Sequence, residues 1–286
     1  MRTLLKRNIK IYFKDGLNMF FSLLSILIII GLYIIFLGNN WRDVLMADLV
    51  DADVLLYSWL AAGIVAVATI TTTLGAFNVI IDDRIKKIDK GFYASPVKRK
   101  SIVSAYLLSA FVVGMIMSTI TFVLFSLYIL FIGGSLLSPV SYLQILGVLV
   151  VSNLSGTAMV CFIASFIRSS SAFTSISTIL GTLVGFLAGI YFPIGVLPES
   201  VQVVIRLFPP SYGGMLLRRI LMENPIANSF YGIPTEYVLE FRETMGVVYK
   251  FGDFEVTPMI SVMILLGTAI IFFGLSLFNM RKMKKK

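Results

Sequence analysis

Six stretches of this chain, residues 19–38, 57–81, 101–132, 142–167, 172–192 and 258–279, run without one Asp, Glu, Lys or Arg. A helix needs roughly 20 predominantly apolar residues to cross the hydrocarbon core, where no water is available to satisfy an open backbone. The spacing therefore predicts an all-α integral membrane protein with six transmembrane helices. Composition agrees: 58% of residues are apolar and 14% charged, against about 45–50% and about 25% in soluble domains. The third run exceeds one bilayer thickness. Only Arg168-Ser169-Ser170-Ser171 separates the fourth from the fifth, which makes those two an antiparallel hairpin.

Six spans place both termini on one side, and the loops then sort into two sets. Residues 1–18, 82–100, 168–171 and 280–286 carry 18 Lys and Arg against 4 acids, whereas 39–56 and 193–257 carry 6 against 11. Basic residues beside span ends are retained in the cytoplasm. Both termini and the 82–100 loop are thus expected inside a multi-pass protein of the plasma membrane. The net charge of +9 is a topology signal, and no nucleic-acid partner is needed to explain it.

The chain has no histidine and one cysteine, Cys161, which removes internal disulfides, multi-cysteine metal sites and the commonest general base. Its apolar runs hold no ionisable group of the kind that ion-driven carriers place in their spans. Nor is there a Gly-Lys-Ser/Thr phosphate loop, so energy for uphill transport must come from another polypeptide.

The stretches outside the spans are patterned. In residues 1–18, Leu4, Leu5, Ile9, Ile11, Tyr12 and Phe13 fall on one half of a helix and Lys6, Arg7, Lys10 and Lys14 on the other, as in a helix lying in the membrane interface. On the inner side, Ile81, Ile85, Ile88 and Phe92 recur at helical spacing among charges, with Gly91 and Pro96 as stops, which predicts an amphipathic helix over 82–95. After the fifth run, Pro193, Pro198 and Pro209-Pro210 cut the chain into apolar pieces of about a dozen residues, roughly 18 Å as helix. Such pieces are too short to span, and two short re-entrant helices over 197–222 fit them. Residues 223–257 follow as an external loop with a short helix starting near Thr235 that places Val238, Phe241 and Met245 on one side.

These features, in this order, resemble the membrane subunit of type-2 ABC exporters. The resemblance covers nearly the whole chain: the basic amphipathic start, six spans, an inner loop ending in Ala94-Ser95-Pro96-Val97, and an outer segment from Phe192-Pro193 through Leu197-Pro198 to Phe208-Pro209-Pro210-Ser211-Tyr212 with Arg218 and Arg219 following. It implies that 82–95 is the coupling helix that seats in a separate ABC ATPase subunit, through Asp82, Asp83, Arg84, Ile85, Lys86, Lys87, Ile88, Asp89 and Phe92. The family often has an acidic-Arg-x-x-Gly stretch there; Lys87 stands at the Gly position, with Gly91 four residues later.

The resemblance further implies a homodimer or heterodimer of permeases whose second and fifth spans face the path. Both runs are rich in small and hydroxyl residues. Candidates for the path are Thr69, Thr72, Thr73, Phe77 and Asn78 in the second and Ser175, Thr178, Thr182 and Phe186 in the fifth, the hydroxyls serving equally well for interhelical hydrogen bonds. No catalytic residue, cofactor or metal is expected on this chain; ATP and Mg belong to the partner. A path without fixed charge suits an apolar or amphipathic cargo such as a drug, peptide antibiotic or lipid. A polysaccharide or lipid-linked glycan exporter is the alternative within the family. Outside it the alternatives are a non-transport integral-membrane protein or a membrane enzyme, the latter with Asp82, Asp83 and Asp89 as its only candidate carboxylate cluster.

Overall fold

The computed structural model describes residues 1–32, 35, 38–45, 49–167 and 169–282. Among them the chain forms helices α1 (Arg2–Lys14), α2 (Gly16–Leu32), α3 (Gly38–Leu45), α4 (Ala52–Ile85), α5 (Ile88–Ala94), α6 (Arg99–Phe131), α7 (Pro139–Phe166) and α8 (Ser170–Leu187). The region after α8 adds α9 (Glu199–Leu207), α10 (Ser211–Leu221), α11 (Glu223–Ser229) and α12 (Thr235–Thr244). An antiparallel pair of two-residue strands, β1 (Lys250–Phe251) and β2 (Phe254–Glu255), precedes α13 (Pro258–Lys282).

Five helices, α4, α6, α7, α8 and α13, are long and apolar enough to cross a membrane. They overlap five of the six charge-free runs. The first run, 19–38, begins within α2 and then enters residues 33–34 and 36–37, which lie outside the described residues.

α4 is the hub. Its 34 residues reach about 51 Å at 1.5 Å per residue, and it packs against α2, α6, α7, α8, α10 and α11. Small residues make this possible: Ala61, Ala62, Ala66 and Ala68 are all buried, and at Gly63 an added Cβ would lie 2.7 Å from the Ile190 side chain. Polar side chains join the other spans. Asn153 of α7 donates to the Ser118 hydroxyl of α6 at 3.0 Å, and Asn279 of α13 donates to Ser165 of α7 at 2.7 Å, the kind of contact that replaces the missing hydrophobic drive between helices in lipid.

Several expected boundaries are corrected. α1 ends at Lys14, and α2 starts directly after Asp15, earlier than residue 19. α4 runs a turn or so past both ends of 57–81. α8 stops at Leu187, short of residue 192. Gly189 takes a left-handed φ of +65°, and the amides of Gly189 and Ile190 fold back onto the Phe186 and Gly185 carbonyls, a helix-ending arrangement that glycine adopts without strain.

The single helix expected over 82–95 is two. Asp82 to Ile85 complete α4, Lys86 and Lys87 turn the chain with Lys87 left-handed at φ 59°, and α5 follows on a new axis. Gly91 lies inside α5; the stop is Ser95, whose hydroxyl donates to the Phe92 carbonyl at 2.6 Å.

In 197–222 the prolines divide two helices. α10 is buried along nearly its whole length against α4, α7 and α13, whereas α9 exposes Val203, Val204 and Leu207. The external loop expected over 223–257 is largely structured, as α11, α12 and the β1–β2 hairpin. Phe241 and Met245 are buried, and the indole N–H of Trp59 in α4 donates to the Met245 carbonyl at 2.8 Å. Gly195 permits the close approach of the end of α12: an added Cβ there would lie 2.5 Å from the Thr244 Cα.

Candidate functional site

The α4–α5 elbow is clamped by the N-terminal helix α1. Asp83, at the end of α4, is 4% exposed. Arg7 of α1 donates to both of its carboxylate oxygens, at 2.5 and 2.8 Å, and the Tyr106 hydroxyl of α6 donates to Oδ2 at 2.6 Å. The hydrogen bond to Asp83 raises the pKa of Arg7 further above its already high value, so its charge persists at any physiological pH. The neighbouring Asn8 is buried and donates to the Ser109 hydroxyl of α6 at 3.4 Å, and the Arg7 guanidinium lies 5.4 Å from the centre of the Phe92 ring in α5. The basic arc of α1 therefore turns one member inward, because a buried carboxylate must be paired.

The rest of the elbow is fixed by its neighbours. Asp82 accepts from the Ser170 hydroxyl of α8 at 3.1 Å and from Lys86 at 3.4 Å. Arg84 donates to the Ile167 carbonyl at 3.3 Å and approaches that of Ala164 at 3.5 Å, placing a cation at the carbonyl end of α7 as its dipole favours. Asp89 lines a cavity of about 70 Å³ with Arg84, Phe77 and Cys161, and its Oδ1 is buried without a hydrogen bond among the described residues. Lys86 and Lys87 are exposed, and beside them Ile85 and Ile88 stand 41% and 39% exposed. A polar, internally braced elbow thus presents two apolar side chains outward. The three aspartates do not converge on a common point: one is paired with Arg7, one with Ser170 and Lys86, and one faces the small cavity.

The candidate path residues separate into two groups within one chain. Thr69, Thr72, Thr73 and Phe77 of α4 are buried, and the three hydroxyls donate back to the carbonyls of Ala66, Ala68 and Thr69 in their own helix, at 2.6–2.7 Å. Asn78 is partly exposed. On α8, by contrast, Ser171, Ser175, Thr178 and Thr182 are exposed at i, i+4, i+7 and i+11, and Phe186, 48% exposed, continues the row. Phe186 packs against Tyr191 and Phe192, with ring centres 4.4 and 6.5 Å away. α8 is mostly exposed along its length while α4 is almost wholly covered.

Toward the N-terminal end of α4 a buried cation organises the junction of α4, α8 and α10. Arg218 is 1% exposed, and its Nη2 donates to the carbonyls of Ala188 and Gly189 at 2.8 Å each. These are the carbonyls at the end of α8. Arg7, Asn8, Tyr106 and Ser109 escape sequence reasoning because their partners are distant in the chain: 76 residues separate Arg7 from Asp83, 101 separate Asn8 from Ser109 and 23 separate Tyr106 from Asp83. Arg218 stands in the quoted outer segment, but nothing local to it marks a helix end 29 residues upstream.

One family model matches: it is described as "ABC-2 family transporter protein" and covers residues 51–278. No curated protein matches the chain.

Proposed function

Because the chain belongs to the ABC-2 transporter family, a family of transmembrane components that implies an ABC ATPase partner, we propose that it is the permease subunit of an ATP-driven exporter. The observation that carries this reading is the elbow with Ile85 and Ile88 exposed beside a carboxylate locked to Arg7. Two apolar side chains on a cytoplasmic surface lose contact with water when a partner covers them, which supplies affinity. The braced elbow transmits the partner's displacement to α4 and, through Asp82 and Ser170, to α8. ATP and Mg act on the partner, and this chain contributes no catalytic group.

The exposed row of Ser175, Thr178, Thr182 and Phe186 suits a path formed between two permease copies, with hydroxyls to solvate weakly polar groups and a ring for apolar surface. The cargo it favours is apolar or amphipathic. Alternating access follows if closure of the ATPase pair biases the α4 and α8 helices of the two copies between inward and outward arrangements. The excess of Lys and Arg in one set of loops supports placing both termini in the cytoplasm of a plasma-membrane protein.

Replacing Ile85 and Ile88 by Asp tests the docking role. The variant should insert normally and lose the ATPase subunit on purification, since burying unpaired carboxylates costs several kcal/mol. Normal co-purification with full transport would place the docking surface elsewhere.

A further inference from the structure

A cavity of about 590 Å³ opens where α7, α10, α11 and α13 meet the segment that follows α12. None of the residues assigned to the elbow or the path lines it. Its walls are apolar, with Val148 and Val151 from α7, Leu216 and Ile220 from α10 and Val262 from α13. Two guanidiniums, Arg219 and Arg242, face it together with one carboxylate, Glu223. The Arg242 Nε is buried and makes no hydrogen bond among the described residues. Nη1 of Arg219 likewise makes no hydrogen bond among the described residues, although the side chain as a whole is 41% exposed and forms a long ion pair with Glu255 at 3.8 Å.

A buried donor without an acceptor, such as the Arg242 Nε, is costly, and the planar fork of arginine matches phosphate oxygens. An inorganic anion would satisfy the donors and leave the apolar walls unfilled. The two span helices that line the cavity also carry exposed apolar rows, Leu143, Leu146 and Val150 on α7 and Met259, Met263 and Leu266 on α13. Apolar side chains exposed on spans are in their proper solvent when they meet acyl chains.

We propose that this cavity binds an anionic phospholipid, with the phosphate between Arg219 and Arg242 and the acyl chains running along α7 and α13. Basic pockets between membrane helices hold lipid headgroups by this combination of charge and apolar walls. The inference rests on the orientation proposed above only in assigning the lipid to the outer leaflet.

The test uses the purified full-length chain in nanodiscs of phosphatidylcholine with a minor fraction of phosphatidylglycerol, and native mass spectrometry of the lipid retained. Wild type should retain phosphatidylglycerol about fivefold or more above its bulk fraction, and Arg219→Gln with Arg242→Gln should abolish that excess. Gly147 also lines the cavity, and an added Cβ there meets nothing within 4 Å, so Gly147→Phe should expel the lipid with both arginines in place. It decides the matter if the arginine variant does not fold. No enrichment in wild type, or enrichment that survives the cavity-filling variant, would overturn the proposal. So would displacement of the lipid by millimolar inorganic phosphate, which would mark a site for the free anion. Nanodiscs expose both faces, so an error in the proposed orientation would surface separately, in labelling at Asn228.

Discussion

The Arg218 guanidinium lies 5.3 Å from the centre of the Trp59 ring while donating to the Ala188 and Gly189 carbonyls. A single buried cation on α10 thereby caps the end of α8 and stacks on the N-terminal part of α4. Gly63 lies beside it, where an added Cβ would meet the Ile190 side chain at 2.7 Å and come within 3.4 Å of Arg218 Nη2.

Arg218→Met should remove two charge-assisted hydrogen bonds and a cation–π contact, a loss of about 2–4 kcal/mol. The thermal unfolding midpoint in detergent should fall by several degrees. Arg218→Lys should recover less than half of this, because an ammonium cannot reproduce the fork of donors while stacked on the ring. An unchanged midpoint in the Met variant would contradict the capping role.

At the other face, Arg7→Ala, Asp83→Asn and the double variant form a cycle. Each single change strands a partner, and the Arg7 side chain is 31% exposed, so solvent screening discounts the pair to a coupling on the order of 1–2 kcal/mol. Stability curves of the four proteins check this, and strictly additive losses would mean that α1 is held by its apolar face alone. The singles should also lower transport more than they lower ATPase co-purification, because the clamp braces the elbow and does not form its exposed apolar surface.

Threonine replacements should divide along the burial boundary. Thr178→Val and Thr182→Val on the exposed row of α8 should change export rates across a panel of amphipathic dyes by several-fold. Thr72→Val, whose hydroxyl bonds only its own helix in a buried setting, should leave the dye profile intact at a cost of about 1 kcal/mol of stability. Equal effects at both helices would argue that α4 also meets cargo.

Cysteine labelling separates the two outer helices and the cap. In a Cys161→Ser background, cysteine at Leu217, which is fully buried, should resist every reagent until the protein unfolds. Val203 on the exposed face of α9 should react with a lipid-soluble maleimide but not with an impermeant one, and Asn228 on the exposed side of α11 should react with the impermeant reagent from outside. Rapid impermeant labelling at Val203 would place α9 in water.

The sequence by itself determined the solvent and the broad plan of this protein. Charge-free runs near 20 residues have a single economical use, so periodicity and length were enough to locate α4, α6, α7, α8 and α13, and prolines were enough to separate α9 from α10. The distribution of lysine and arginine sorts the loops into a basic and an acidic set, which is what supports the proposed orientation, and each of these signals is local, written in neighbouring residues. What tertiary structure decided was the fate of particular polar groups. Whether Thr72 and Thr182 face protein or surroundings depends on which helices pack against α4 and α8, and both runs look alike in composition. Lys86-Lys87 breaks the inner helix where no glycine or proline does. Arg7 pairs with Asp83 across 76 positions and Arg218 reaches Gly189 across 29. Such pairings arise because a buried ion or an open helix end must find a partner, and only the folded chain determines which one lies within reach.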